Sequence, residues 1–217
     1  MKYRLVCFDV DGTLIENGNH TSYWKLMERE FGITPEERAE WKRRFRSGKI
    51  SYAGWCDLDL QWIQERGVTR DQLEELARRQ QLIPGVREAL QELKRRGYRL
   101  AVISGGIDLG LLTLFPNHPF DDMLICRTRF DAQGRIVDWE SQNLNDEGKT
   151  KAMHRILARE GIDISETVFV GDGENDIAIL KEAGLGIAFC PKSNKVREAA
   201  DVVIEKRDVR EILKHLG

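Results

Sequence analysis

A short apolar run, Arg4-Leu5-Val6-Cys7-Phe8, leads straight into Asp9-Val10-Asp11-Gly12-Thr13. The run is too short for an ordinary helix, and Asp11-Gly12 is a turn signal. Together they predict a buried strand that ends in a loop. The pattern recurs. A strand predicted at 98–103 is followed by Ser104-Gly105-Gly106, and one at 167–170 by Gly171-Asp172-Gly173-Glu174-Asn175-Asp176. Further apolar runs fall at 123–126, 185–189 and 201–204, and helices are expected at 85–96, 149–160, 174–183 and 207–216. The stretch 128–139, centred on Gly134, reads as a hairpin. Strands alternating with helices imply an α/β fold with a doubly wound, Rossmann-like parallel sheet covered on both faces.

Residues 20–80 break this alternation. Amphipathic helices are expected at about 21–31, 35–46, 51–66 and 69–80, with starts marked by Thr34-Pro35, Ser51 and Thr69, and stops by Gly32, Gly48 and Gly67. The chain therefore divides into a core of residues 1–15 and 82–217 and an inserted helical cap of residues 16–81. Four of the five tryptophans, Trp24, Trp41, Trp55 and Trp62, lie in the insert, where helical spacing favours packing over ligand contact.

Composition narrows the class. The chain has 217 residues, 41% hydrophobic and 32% charged, with 34 Lys+Arg against 36 Asp+Glu. A net charge of -2 argues against a nucleic-acid binder held by bulk positive charge. No apolar run approaches the roughly 18 residues of a membrane span, so no membrane partner is expected. The N-terminal run lacks the length and cleavage site of a secretion signal. Cys7, Cys56, Cys126 and Cys190 are far apart with no CxxC pair, which suits buried thiols in a cytoplasmic protein.

In parallel α/β sheets, ligands bind beyond the carboxyl ends of the strands. Three acidic or glycine-rich loops would meet there. Asp9 and Asp11 alternate on an extended segment, so both side chains can face one cleft, and Asp172 adds a carboxylate from another strand. Crowded carboxylates repel and call for a cation. Magnesium takes oxygen ligands and often pairs carboxylates with a substrate phosphate. With the cation and Lys149 neutralising charge, an Asp can attack phosphorus. Ser104 and the amides near Gly105 and Gly106 can bind phosphate oxygens. Each signal alone is weak, and a lone DxD is usually a turn. Four in order, each at a predicted strand end or helix start, are not.

These stretches resemble the haloacid dehalogenase superfamily of phosphohydrolases. The resemblance rests on Phe8-Asp9-Val10-Asp11-Gly12-Thr13-Leu14, Val102-Ile103-Ser104-Gly105-Gly106, Lys149 and Val170-Gly171-Asp172-Gly173-Glu174-Asn175-Asp176, which span nearly the whole chain. It implies a nucleophile at Asp9 and a general acid/base at Asp11. It implies Mg2+ bound by the Asp9 carboxylate, the Asp11 backbone carbonyl and the Asp172 carboxylate, with Asp176 supporting the metal from behind. Ser104, Gly105, Gly106 and Lys149 would hold the phosphoryl group, and Asn175 would lie beside the substrate. The implied partner is a small phosphomonoester, and the implied assembly a monomer or homodimer.

Within the superfamily the chain is most similar to phosphoserine phosphatases, in the placement of the insert and in the tail from Gly184 to Leu213. It departs from them where that subfamily reads its substrate. The Glu that meets the substrate amine falls on Gly18, with Glu16 two residues early, and the Arg that pairs with the carboxylate falls on Asp59. An acid at 59 would repel a carboxylate, although a shift of one helical turn could bring in Arg43, Arg44, Arg46 or Arg66. His20 is a further loop candidate. Asp57, Asp59 and the nearby tryptophans suggest a different substrate class, a cationic or neutral phosphomonoester such as phosphocholine or phosphoethanolamine. The pattern is also compatible with a phosphotransferase or phosphomutase, in which the aspartyl-phosphate passes to an alcohol instead of water, and with a non-catalytic binding module.

Overall fold

A computed structural model describes residues 2–16 and 22–217. Gly18 and His20 lie outside the described residues. The central sheet has seven strands: β1 (Leu5–Phe8), β4 (Arg99–Ile107), β5 (Asp122–Phe130), β6 (Ile136–Glu140), β7 (Thr167–Gly171), β8 (Leu185–Phe189) and β9 (Val202–Ile204). Their order is β6-β5-β4-β1-β7-β8-β9. Every pair is parallel except β5–β6, the expected hairpin, which turns through Asp131–Gly134.

Both sheet faces are covered, which is why the strands read as unbroken apolar runs. Along β1, Val6 and Phe8 enter one core with Val86, Leu90 and Leu93 of helix α5 (Val86–Arg95). Leu5 and Cys7 enter the opposite core with Met153 and Ile156 of helix α7 (Asp146–Glu160) and Ile179 of helix α8 (Ile177–Glu182).

The insert forms the four expected helices: α1 (Tyr23–Phe31), α2 (Pro35–Arg46), α3 (Tyr52–Glu65) and α4 (Arg70–Ala77). Thr34 and Thr69 close reciprocal caps with Glu37 and Gln72, and Ser51 caps α3, as the sequence signals imply. A third apolar cluster joins Tyr23, Met27, Leu60, Trp62, Ile63 and Leu73 to Ile107, Leu109 and Ile136 of the sheet side. The two connections to the insert pair as a short antiparallel ladder, β2 (Ile15–Glu16) with β3 (Gln81–Leu82).

Several boundaries differ from expectation. Strand β4 runs on through Ser104-Gly105-Gly106 to Ile107 with a register shift, and a short helix α6 (Asp108–Leu114) follows. The glycines thus make a bulge inside a strand rather than a loop after it. Helix α7 begins three residues before Lys149. The stretch 174–183 divides into a 3₁₀ turn (Glu174–Asp176) and α8, and the C-terminal helix is a 3₁₀ segment (Val209–His215). A final short helix, α9 (Asn194–Ala199), precedes β9.

Candidate active site

The loops after β1, β7 and β8 and the bulge within β4 converge on a cavity of about 330 Å³. Asp9, Asp11, Ser104, Gly105, Gly106, Asp172 and Asn175 all line it. Lys149 and Asp176 lie beneath its floor and are fully buried. The catalytic, metal and phosphoryl-binding residues expected from sequence are therefore brought to one place.

Asp9 leaves the end of β1, where its backbone N–H donates to Val170 O at 3.0 Å. Lys149 Nζ sits 2.9 Å from Asp9 Oδ1 and 2.5 Å from Asp176 Oδ1. Burial alone would lower the lysine's affinity for its proton, but the carboxylates of Asp176 and Asp9 outweigh it and hold Lys149 charged. The other Asp176 oxygen accepts the backbone N–H groups of Asp172 and Gly173, at 3.1 and 3.0 Å. Asp176 thus fixes both Lys149 and the loop that carries Asp172. The loop after β1 closes against that second loop. Gly12 has φ of +96°, and a Cβ there would lie 2.0 Å from Asp172 Oδ2, so no other residue fits. Thr13 Oγ1 donates to Asp172 Oδ1 at 3.4 Å.

The buried carboxylate oxygens of Asp9, Asp172 and Asp176 come within 4.8 Å of one another. Four carboxylates, counting Asp11, face two ammonium groups, Lys149 and Lys192, whose Nζ is 2.7 Å from Asp172 Oδ2. The protein's own charges leave the cluster negative. Burial, and then the Asp9 charge, push Asp11 up to about 6. Burial pushes Asp172 up to about 7, with Lys192 opposing and Asp9 and Asp176 adding to it. A compact set of hard oxygen donors short of positive charge fits a divalent cation.

The insert supplies the opposite wall, with Ser22, Trp24, Phe45 and Tyr52. Tyr23 N–H donates to Asp11 Oδ1 at 3.3 Å. The acids expected to face a substrate there do not line the cavity. Asp59 is buried and accepts from Arg38 Nη1 at 2.8 and 3.0 Å, and Asp57 accepts from Trp139 Nε1 at 2.8 Å. Glu16 is turned to Arg207 and Gln81. Among the arginines, Arg43 pairs with Glu40 and Arg66 stacks on Trp62, whereas Arg46 lines a groove of about 980 Å³ that shares Phe45, Tyr52 and Asn145 with the cavity.

Residues 3–184 match the haloacid dehalogenase-like hydrolase family. The chain belongs to that family. A phosphoserine phosphatase of Methanocaldococcus jannaschii is 34% identical over 99% of this chain and 98% of its own length. One of Wolinella succinogenes is 29% identical over 98% of this chain and all of its own. A solved phosphoserine phosphatase with bound substrate superposes with a TM-score of 0.77, at 32% identity and full coverage of both chains. A phospho-aspartyl intermediate analogue of phosphoserine phosphatase gives 0.76 at 33% identity, again over both whole chains. Within the haloacid dehalogenase-like hydrolases the chain is phosphoserine phosphatase-like, and it is a phosphomonoester hydrolase.

Sequence reasoning missed three site residues of this hydrolase. Lys192 follows β8 as Asp9 follows β1, so the strand-end rule applied to the fourth loop would have found it. Trp24 reads as a packing residue, Tyr52 carries no signal of its own, and nothing in helical spacing marks their polar tips as turned to the cavity.

Proposed function

We propose that the chain hydrolyses a small phosphomonoester, with phosphoserine as the first candidate, through an aspartyl-phosphate on Asp9. The observation that carries this is Asp9 itself: a strand-end carboxylate held by a buried lysine at the floor of a cavity that Ser104 and Asp172 also line. The relatives' names supply the candidate substrate.

Asp9 attacks phosphorus in line, forming the Asp9 O–P bond as the P–O bond to the leaving alcohol breaks. Asp11 gives its proton to that alcohol. Its raised affinity for the proton, set by burial and the Asp9 charge, suits that task near neutral pH. Asp11 then takes a proton from water, which attacks phosphorus, releases phosphate and restores Asp9. Ser104 and Lys149 hold the phosphoryl oxygens, the Gly105 and Gly106 backbone shapes the pocket around them, and Asn175 lies beside the substrate. Mg2+ would be held by the carboxylates of Asp9 and Asp172 and the carbonyl of Asp11, with Asp176 fixing the loop behind. When bound it supplies charge neutralisation for the transferring group. Asp176 supports the site by holding Lys149 and the amides of Asp172 and Gly173.

Residues 16–81 act as the cap, seated on the site through Trp24 and Tyr52 and joined to the core by the β2–β3 ladder. Arg46, in the adjoining groove, is the candidate reader of a substrate carboxylate. The case for a cationic substrate weakens, because Asp57 and Asp59 are engaged elsewhere. The four free cysteines suit a cytoplasmic enzyme, and all the site residues come from one chain, so a monomer or homodimer suffices.

Turnover of phosphoserine, phosphoethanolamine and phosphocholine with Mg2+ tests the reading. Phosphoserine should be preferred, and Arg46→Ala should raise KM for phosphoserine but not for phosphoethanolamine. Preference for phosphocholine in the unaltered protein would reverse the substrate assignment.

A further inference from the structure

The carbonyl oxygen of Gly105 accepts two hydrogen bonds from the insert. Tyr52 Oη donates at 2.7 Å and Trp24 Nε1 at 2.9 Å. This carbonyl and the N–H of Gly106 belong to one peptide unit, and in a trans peptide they point in opposite directions. The N–H end donates to Ser104 Oγ at 3.1 Å. One peptide plane is therefore gripped by the insert at its oxygen and grips Ser104 at its nitrogen.

A plane between two glycines has little conformational preference of its own. Flipped, it would turn the carbonyl toward Ser104 and present a partial negative charge to phosphoryl oxygens, which it would repel. The sequence makes room for the grip. A Cβ at position 105 would lie 2.6 Å from Tyr52 Oη, so glycine alone allows Tyr52 to approach. With one lone pair of Ser104 Oγ taken by Gly106 N–H, its hydroxyl proton is free to donate to a ligand.

We propose that Trp24 and Tyr52 are positioning residues that lock the Gly105–Gly106 peptide and so aim the Ser104 hydroxyl at the phosphoryl group when the insert is seated. Seating of the insert and binding of phosphate are then coupled, and each favours the other. The proposal rests on the reading of Ser104 as a phosphoryl ligand.

The test uses Tyr52→Phe, which keeps the ring and removes one donor, and Trp24→Phe, which removes the other. Inhibition by inorganic phosphate and kcat/KM are measured for each, alone and combined with Ser104→Ala. Losing one such hydrogen bond should weaken phosphate about fivefold when Ser104 is present and less than about twofold when it is not. Hydrogen exchange at the Gly106 amide, followed by NMR, should speed up in both variants. If Trp24→Phe folds poorly, Tyr52→Phe decides alone. Equal losses in both Ser104 backgrounds with unchanged Gly106 exchange would overturn the lock. A protein inert to every phosphomonoester would instead overturn the functional reading, and Gly106 exchange would still decide the lock.

Discussion

Two of the places where this molecule buries acidic side chains, one in the insert and one beyond the strand ends, handle the charge differently. In the insert, Asp59 meets Arg38 directly, and Arg38 also reaches Glu28 at 3.1 Å and lies over the Trp55 ring. Beyond the strand ends, Asp9, Asp11, Asp172 and Asp176 share Lys149 and Lys192 among the described residues. The first arrangement holds two acids on one guanidinium and joins three helices, α1, α2 and α3. The second sets four carboxylates around an open cavity against two ammonium groups, with Asp11 pushed up to about 6 and Asp172 to about 7. A buried charge left over is a cost to the fold alone, and a ligand that brings positive charge relieves it. Access to the cavity separates the two: Asp9, Asp11 and Asp172 line it, and Asp59 does not.

The sharpest way to break that contrast is Asp9→Asn. It should lower kcat by about 10⁴-fold or more, because the nucleophile is lost, while circular dichroism and the melting temperature stay at or above those of the unaltered protein. A near-normal rate would end the assignment. Removing divalent cations with a chelator should stop turnover reversibly. Adding Mg2+ back should restore the rate and raise the melting temperature, since a cation that binds only the folded chain stabilises it. Full activity without a cation would mean that the two lysines suffice. Asp11→Asn should cost about 10²- to 10⁴-fold in kcat, and rapid quench should trap phosphoenzyme if the second step is the slower one.

The smallest effect belongs to the insert. Asp59→Asn should leave kcat and KM within about twofold, because Asp59 does not line the cavity. Its signature is in stability. Burial pushes Asp59 up to about 6 from 3.8, against the pull of Arg38. An acid that binds its proton more tightly when folded contributes its full stability below its unfolded pKa, and loses it as pH rises through the folded one. The urea midpoint of Asp59→Asn should therefore climb relative to the unaltered protein between about pH 4 and about pH 6. A constant difference would show that Arg38 keeps Asp59 ionised throughout.

The catalytic end was legible because its signals are local. Asp9, Ser104 and Asp172 each follow an apolar run, and strand ends of a parallel sheet share one edge. The helix caps of the insert were legible for the same reason, since Thr34 bonds to Glu37 within one turn. Asp59 misled because its partner is 21 residues away on another helix, and sequence position alone suggested a free acid. Trp24 was read as a packing residue, which is incomplete, and Tyr52 drew no reading. Their donors meet Gly105 across 81 and 53 residues.

The chain's residues by themselves determined the α/β sheet, the helical insert after β1 and the identity of the acidic cluster, all through patterns no longer than a few turns. Tertiary structure alone decided which buried acids face the cavity, that Lys192 joins Asp172, that Arg46 lines the adjoining groove, and how the Gly105 carbonyl is held. These depend on distances between segments remote in sequence. A carboxylate's role follows from what surrounds it: Asp9, Asp11 and Asp172 line a cavity, and Asp59 is enclosed against Arg38.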